Sequence, residues 1–384
     1  MYKIIILFLI LLLTACANPT AVVEDHAHSR VKNIILMIGD GMGAEHRHLA
    51  RLIHRGESAQ LAMDRLSVTG EVRTSGLNGV ITDSAAAATA MASGYKTRKG
   101  VIGLDPDLNY LENIMEDARA VGKATGLVTT TQITHATPAA FVAHTDSRKN
   151  KLEIARQISL AKIDVLMGGG AIYFLPEKEK GCFVQAGVRT DKKNLIKILR
   201  SAGYSYICNE QMLNELDTRS AHRVLGLFAG EGLARPFSPD LALMTQQSIA
   251  VLSQYPQGFF LMLEGGQIDW ASHDNDAQKV MQSLAGFDRA VKIARDFALS
   301  RDDTLLIVSA DHETGGLQIS RSGGDEGPFV DREGNAFYVN WATHKHTGVN
   351  VPLTASGPMS SLLQGEIENT DIYRIMLKAM TGVQ

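Results

Sequence analysis

The 384-residue sequence has no surplus of one charge: 38 Lys and Arg stand against 41 Asp and Glu, a net charge of -3 with His neutral. No long basic run is present, and a surface without a basic stripe excludes nucleic acid as a partner. Long apolar runs are scarce as well. The one at the start, residues 4–13 after a lone Lys3, is half the length of about 20 residues that a membrane-spanning helix needs. It reads as a secretory signal, not an anchor. Cysteine is scarce too, at positions 16, 182 and 208. After export Cys182 and Cys208 either pair in an oxidising compartment or stay as two buried thiols, and spacing alone leaves both open. Apart from an alanine-rich run there is no repeat or low-complexity tract, so residues 31–384 read as one domain.

The signal, residues 1–16, ends in Leu13-Thr14-Ala15-Cys16, which resembles a lipobox. On that reading Cys16 carries a lipid and becomes the mature N-terminus; the bland alternative is a plain cleaved signal. Residues 17–30 lack periodicity and read as a flexible tether. Beyond them, short apolar runs end abruptly in Gly or polar residues: "NIILMI", "GLVTT", "DVLM", "FFLML" and "TLLIVS". Such runs suit parallel strands buried on both faces. Helical patterns alternate with them, among them "LENIMEDARAVG" with Gly122 as its stop, "TDKKNLIKILRSAG" and "DAQKVMQSLAGFDRAVKIARDFA". The alternation predicts a three-layer α/β/α sandwich around a central, mostly parallel sheet. A Gly- and Asp-rich stretch near 320–343 reads as a short surface insertion.

In an open α/β sheet, ligands sit beyond the carboxyl ends of the strands, and the acidic and His residues collect there. Asp40 follows a strand between glycines in "LMIGDGMG". Glu264 stands at the end of the candidate strand "FFLML", and Asp269 and His273 are four apart, on one face if a helix opens there. Asp311 and His312 follow "TLLIVS", and "THKHTG" offers His344 and His346. Singly each cluster passes for surface polarity or a helix start; together they predict a multinuclear metal site. Ser84, in "TDSAAAATA", precedes an alanine-rich helix. A capping role explains a serine at that place. The small residues after it, with an N-terminus that favours anionic oxygen, point instead to a nucleophile with room for metals and substrate beside it.

At these residues the sequence resembles the alkaline phosphatases: "IGDGMG", "TDSAAAATA", "THATPAAFVAH", "EGGQIDWASHDND", "ADHETGG" and "HTG" occur in that family's order. The resemblance implies that Ser84 is transiently phosphorylated and that Asp269, His273 and His346 hold one zinc. Asp40, Asp311 and His312 would hold a second, and Asp40, Thr137 and Glu264 a magnesium. Arg148, thirteen residues after His135, matches the arginine that clamps phosphate. His135 stands where some members have Asp, and Trp270 where some have Lys; both fall beside the phosphate and third-metal region, His135 as a further candidate ligand. The activity implied is broad hydrolysis of phosphate monoesters by a periplasmic, lipid-anchored homodimer. The alternatives are a phosphodiesterase of the same superfamily, or a lipoprotein that binds metal or phosphate without turnover. A sulfatase is disfavoured, because no C/S-x-P-x-R motif surrounds Ser84.

Overall fold

Buried on both faces, the apolar runs form the middle of one sheet. In the computed structural model, which describes residues 31–54, 56 and 60–382, the strands are β1 (Asn33–Ile38), β2 (Val68–Arg73), β3 (Ala124–Gln132), β4 (Val165–Gly169), β5 (Ser205–Ile207), β6 (Val224–Leu227), β7 (Phe259–Glu264) and β8 (Thr304–Ser309). They continue as β9 (Glu313–Thr314), β10 (Leu317–Ser320), β11 (Glu326–Val330), β12 (Ala336–Trp341), β13 (His346–Thr347), β14 (Val351–Ser356) and β15 (Gly365–Glu368). The helices are α1 (Ala44–His54), α2 (Ser84–Ser93), α3 (Ile114–Ala120), α4 (Ala136–Ala140), α5 (Lys151–Leu160), α6 (Leu195–Ser201), α7 (Glu210–Asn214), α8 (Leu241–Leu252), α9 (Gln267–His273), α10 (Ala277–Leu299) and α11 (Asn369–Thr381).

Ten strands make one sheet in the order β15-β2-β14-β8-β1-β7-β3-β4-β6-β5. Within this sheet only β14 runs against its neighbours β2 and β8; the other pairings are parallel. Helices cover both faces: α3 and α8 each contact β3 and β7, α3 packing with α2 and α11 and α8 with α10. This is the α/β/α sandwich read from the alternation. Parallel pairing puts the carboxyl ends of β8, β1, β7 and β3 side by side at one edge. Three short antiparallel strands, β10-β12-β11, form a separate sheet, and β13 pairs with β9.

Local signals explain where helices begin and stop. Asn113 and Glu116 form a reciprocal capping box at the start of α3, and Gly122 ends the pattern at φ +80°, where a side chain would be strained. The alanine run has another cause than the sequence suggests. Every residue of α2 is buried, because the helix packs against both α4 and α11, so its small side chains let helices approach closely on all sides. Cys182 and Cys208 form a disulfide, which decides the question the spacing left open. The signal, the tether and Cys16 lie outside the described residues. Among the described residues no helix is long and apolar enough to cross a membrane.

Candidate active site

Asp40 stands in the turn after β1, Glu264 closes β7, and Asp311 and His312 follow β8. Asp269 and His273 lie on α9, His346 opens β13, and Ser84 is the first residue of α2. Tertiary structure brings these together. His312 Nε2 is 3.2 Å from Ser84 Oγ, 3.2 Å from Asp311 Oδ2 and 3.5 Å from Asp40 Oδ1. The rings of His312 and His346 stack at 3.6 Å between centroids. On the other side of His346, its Nε2 is 3.1 Å from His273 Nε2, and Asp269 Oδ1 is 3.4 Å and 3.5 Å from those two nitrogens. The ring of His344 is exposed and outside this group; its backbone oxygen instead accepts from His273 Nδ1 at 2.6 Å.

Those outer contacts decide the protonation of the neutral rings. A carbonyl oxygen only accepts. His273 Nδ1, facing His344 O, and His346 Nδ1, 3.0 Å from Thr82 O, must therefore be N–H donors. Thr314 Oγ1 donates to Asp269 Oδ1 at 2.6 Å, so its oxygen accepts from His312 Nδ1 at 3.2 Å. Each neutral ring then turns a lone pair at Nε2 inward, toward carboxylates and toward one another. That arrangement is repulsive unless a cation lies within it, and oriented outer N–H groups are the usual support of metal-bound histidine.

The carboxylates tell the same story. Asp40 Oδ1, Asp311 Oδ2 and Glu264 Oε1 are buried without a hydrogen-bond partner, although buried polar atoms are nearly always paired. Burial lifts Glu264 to about 7 and, with Asp269 beside it, Asp311 to about 6. Burial and the surrounding carboxylates raise Asp40 well above the usual range. Burial also works to raise Asp269, but its hydrogen bond with His346 and the adjacent His312 and His273 hold it below the ordinary value. Burial works to lower His346, but its bond with Asp269, the charges of Asp269 and Asp311 and its bond to Thr82 together raise it. Ligand atoms of Asp269, His312 and His346, of Asp40, Asp311 and His312, and of Asp40, His135 and Glu264 lie within 4.8 Å of one another in each set. An all-O/N donor set of this kind fits zinc and magnesium.

Around the third set, Thr137 Oγ1 donates to Asp40 Oδ2 at 3.4 Å, and the Thr129 and Thr131 hydroxyls donate to Glu264 Oε2. Arg148 approaches from the loop before α5: Nη1 donates to Asp83 Oδ2 at 3.1 Å and Nη2 to His135 Nε2 at 3.3 Å. Burial, with Arg148 next, lowers His135 to about 3, so the ring is neutral, with its proton on the unpartnered, buried Nδ1. Trp270 meets the His135 ring edge-on at 5.6 Å and lies so close to Gly232 that a Cβ there would be 2.7 Å from its ring.

Sequence reasoning missed Asp83, which caps α2 by accepting from Ala86 N at 3.1 Å. Ser84 is therefore not the cap; its hydroxyl faces His312. The signal was present, since Asp precedes Ser in "TDS" and caps at least as well. Thr314 and the carbonyls of Thr82 and His344 carried no such signal, because they act through tertiary approach.

A family model described as alkaline phosphatase matches residues 31–337 and 331–381. The chain belongs to the alkaline phosphatase family. Alkaline phosphatase 4 of Bacillus subtilis is 34% identical over 92% of this chain and 89% of that protein, and the alkaline phosphatase of Escherichia coli is 30% identical over 96% and 90%. Among solved structures, the alkaline phosphatase of the Antarctic bacterium TAB5 superposes with a TM-score of 0.79 at 30% identity, covering 93% of this chain and 99% of that one. Variants of that enzyme with a histidine replaced by Glu or Asp have Mg bound in the M3 site. Metal-dependent hydrolysis of phosphate monoesters follows for this alkaline phosphatase from its family.

Proposed function

We propose that the enzyme hydrolyses phosphate monoesters in two displacements through a phosphorylated Ser84. The observation that carries this reading is the set of inward Nε2 lone pairs and unpartnered carboxylate oxygens converging beside a serine at a helix start. Asp269, His273 and His346 would hold one zinc, Asp40, Asp311 and His312 a second, and Asp40, Thr137 and Glu264 a magnesium, with His135 at its edge. Magnesium in the M3 site of the TAB5 variants supports the third assignment. When bound, the ions lower the pKa of adjacent oxygen nucleophiles and offset charge on the phosphoryl oxygens and departing alcohol.

The chain's own groups supply the rest. Ser84 Oγ attacks phosphorus while the P–O bond to the alcohol breaks, and water then cleaves the phosphoserine. The N-terminus of α2 favours negative charge at Ser84. The Arg148 fork, held by Asp83 and His135, takes two phosphoryl oxygens, with Trp270 walling the same side. Because recognition falls on the phosphoryl group, the alcohol is weakly discriminated. We further assign residues 31–384 to a single catalytic domain with a short insertion near 320–343. Residues 1–16 would be an export signal leading to the periplasm, with a lipid on Cys16 and a homodimer as the working state.

The deciding experiment is the initial rate of p-nitrophenyl phosphate hydrolysis at alkaline pH, before and after EDTA and after restoring zinc and magnesium. Fast, chelator-sensitive, metal-restored turnover is expected, and Ser84→Ala should lower kcat/KM by at least about 10³-fold, as removal of a nucleophile does. Turnover on diesters exceeding that on monoesters would move the reading to a phosphodiesterase. Fully metallated protein without turnover would leave only a binding role.

A further inference from the structure

The first histidine of "THKHTG", His344, has an exposed ring, and no ligand role falls to it. What that ring touches is the end of the helix that carries a ligand. His273 is the last residue of α9, where the carbonyl groups have run out of intrahelical partners. Trp270 O accepts from Asp274 N, Ala271 O from Asp276 N and Ser272 O from Asn275 N. The carbonyl that remains, His273 O, is 2.9 Å from His344 Nδ1. Facing a carbonyl, that nitrogen must be an N–H donor. His273 Nδ1 in turn donates to His344 O at 2.6 Å, so the two residues hold each other by a reciprocal pair of imidazole-to-carbonyl bonds. Beside them Asn275, its amide nitrogen between two carbonyls, donates to Ser272 O at 2.8 Å and to Thr343 O at 3.0 Å.

These bonds join the two segments that supply Asp269, His273 and His346. Burial fixes Asp269 and His346, whose side chains are 6% and 13% exposed, far better than it fixes His273, at 37%. At the end of a seven-residue helix, a part-exposed imidazole keeps one orientation only if a contact from outside the helix offsets the side-chain entropy it gives up. We propose that His344 is a positioning residue for one metal ion: its ring ties the carboxyl end of α9 to the segment that leads into β13, aims His273 Nε2 at the zinc shared with Asp269 and His346, and raises affinity at that ion's site alone. The proposal rests on the assignment of those three residues to one zinc and adds to it how the least buried ligand is held.

The test is stepwise transfer of zinc from the fully loaded enzyme, with magnesium present, to a chromophoric chelator. His346→Ala marks which step of the competition curve belongs to this site. His344→Ala should weaken that step about tenfold, the lower end of the 10–100-fold lost with an outer partner of a metal-bound histidine, because the main-chain acceptor His344 O stays in place. The other zinc step should move by less than about twofold, and the melting temperature of the chelated protein should hardly change, as for most substitutions at exposed positions. His344→Asn should restore the affinity, since its amide N–H takes the place of Nδ1–H. Wild-type affinity in His344→Ala, equal weakening of both steps, or failure of Asn to restore the lost step overturns the positioning role. Should His346→Ala leave every zinc step where wild type has it, the zinc assignment itself falls, and the role of His344 with it.

Discussion

Asp83 shares two oxygens among three tasks. Oδ1 caps α2 through Ala86 N, both oxygens accept from Gly100 N at 3.1 Å, and Oδ2 holds Arg148 Nη1. The first task is about stability and the last about phosphate, so substitutions can separate them. Asp83→Asn keeps a cap acceptor and removes the charge. Its melting temperature should barely move, while the inhibition constant for inorganic phosphate rises roughly fivefold, the worth of about 1 kcal/mol from a partly exposed ion pair. Asp83→Ala also loses the cap, which costs about 1 kcal/mol of stability. If phosphate inhibits both variants as well as it does wild type, Arg148 does not depend on Asp83 for its position. The serine next door shows why one sequence position misleads. Ser and Asp are both good caps, and only the register of the helix start decides which is the cap and which is left to face His312.

The turn after β1 shows the same dependence on neighbours at the level of an element. Gly41 has φ +75°, and a Cβ there would lie 2.9 Å from Asp269 Cα, a backbone atom of α9. Gly41→Ala therefore adds left-handed strain of about 1–2 kcal/mol to a collision with the helix that carries Asp269 and His273. Bound divalent metal measured by atomic absorption should drop, and activity with it. Gly122→Ala makes the contrast: φ is +80° but the nearest atom is Gln257 Cγ at 3.6 Å. Only strain applies there, so the melting temperature should fall slightly while metal content and turnover hold. Equal metal retention in the two variants would show that the turn does not set the position of α9. The central strands were legible because burial on both faces leaves unbroken apolar runs ending at the site. Strand β2, "VTGEVR", was not: it alternates between half-buried and exposed positions around Gly70, and its pairing with β14 depends on a distant segment. Residue types likewise pointed to the metal cluster, while Thr314 and the main-chain acceptors that orient the histidines were invisible until the chain was folded.

For the molecule as a whole, the buried carboxylates make stability without metal a function of pH. Glu264 is raised from 4.5 to about 7, Asp311 from 3.8 to about 6, Asp40 well above 3.8, and His346 above 6.5. A group with a raised folded pKa contributes stability below its unfolded pKa and loses it as pH climbs through the folded value. His46, His135 and His312, lowered by burial from 6.5 to about 3, act oppositely: the unfolded chain binds their protons more readily, so they add stability as pH rises toward 6.5. The two sets offset each other across mildly acidic pH. As pH moves past 6.5 the unfolded histidines finish losing their protons and their contribution levels off, while Glu264 and His346 still lose protons in the folded state. The chelated protein should therefore lose stability above about pH 7. With ions bound, the same carboxylates are ionised and paired, and metal affinity itself grows as the ligands deprotonate. The gap in melting temperature between loaded and chelated protein should widen from pH 6 to pH 9, reaching on the order of 10 °C if two or three ions each contribute about 4 kcal/mol at saturating metal. Calorimetry at fixed ionic strength reads this directly. A gap that is flat or narrows over that range would mean that the Asp40, Glu264 and His346 group is not where the ions bind.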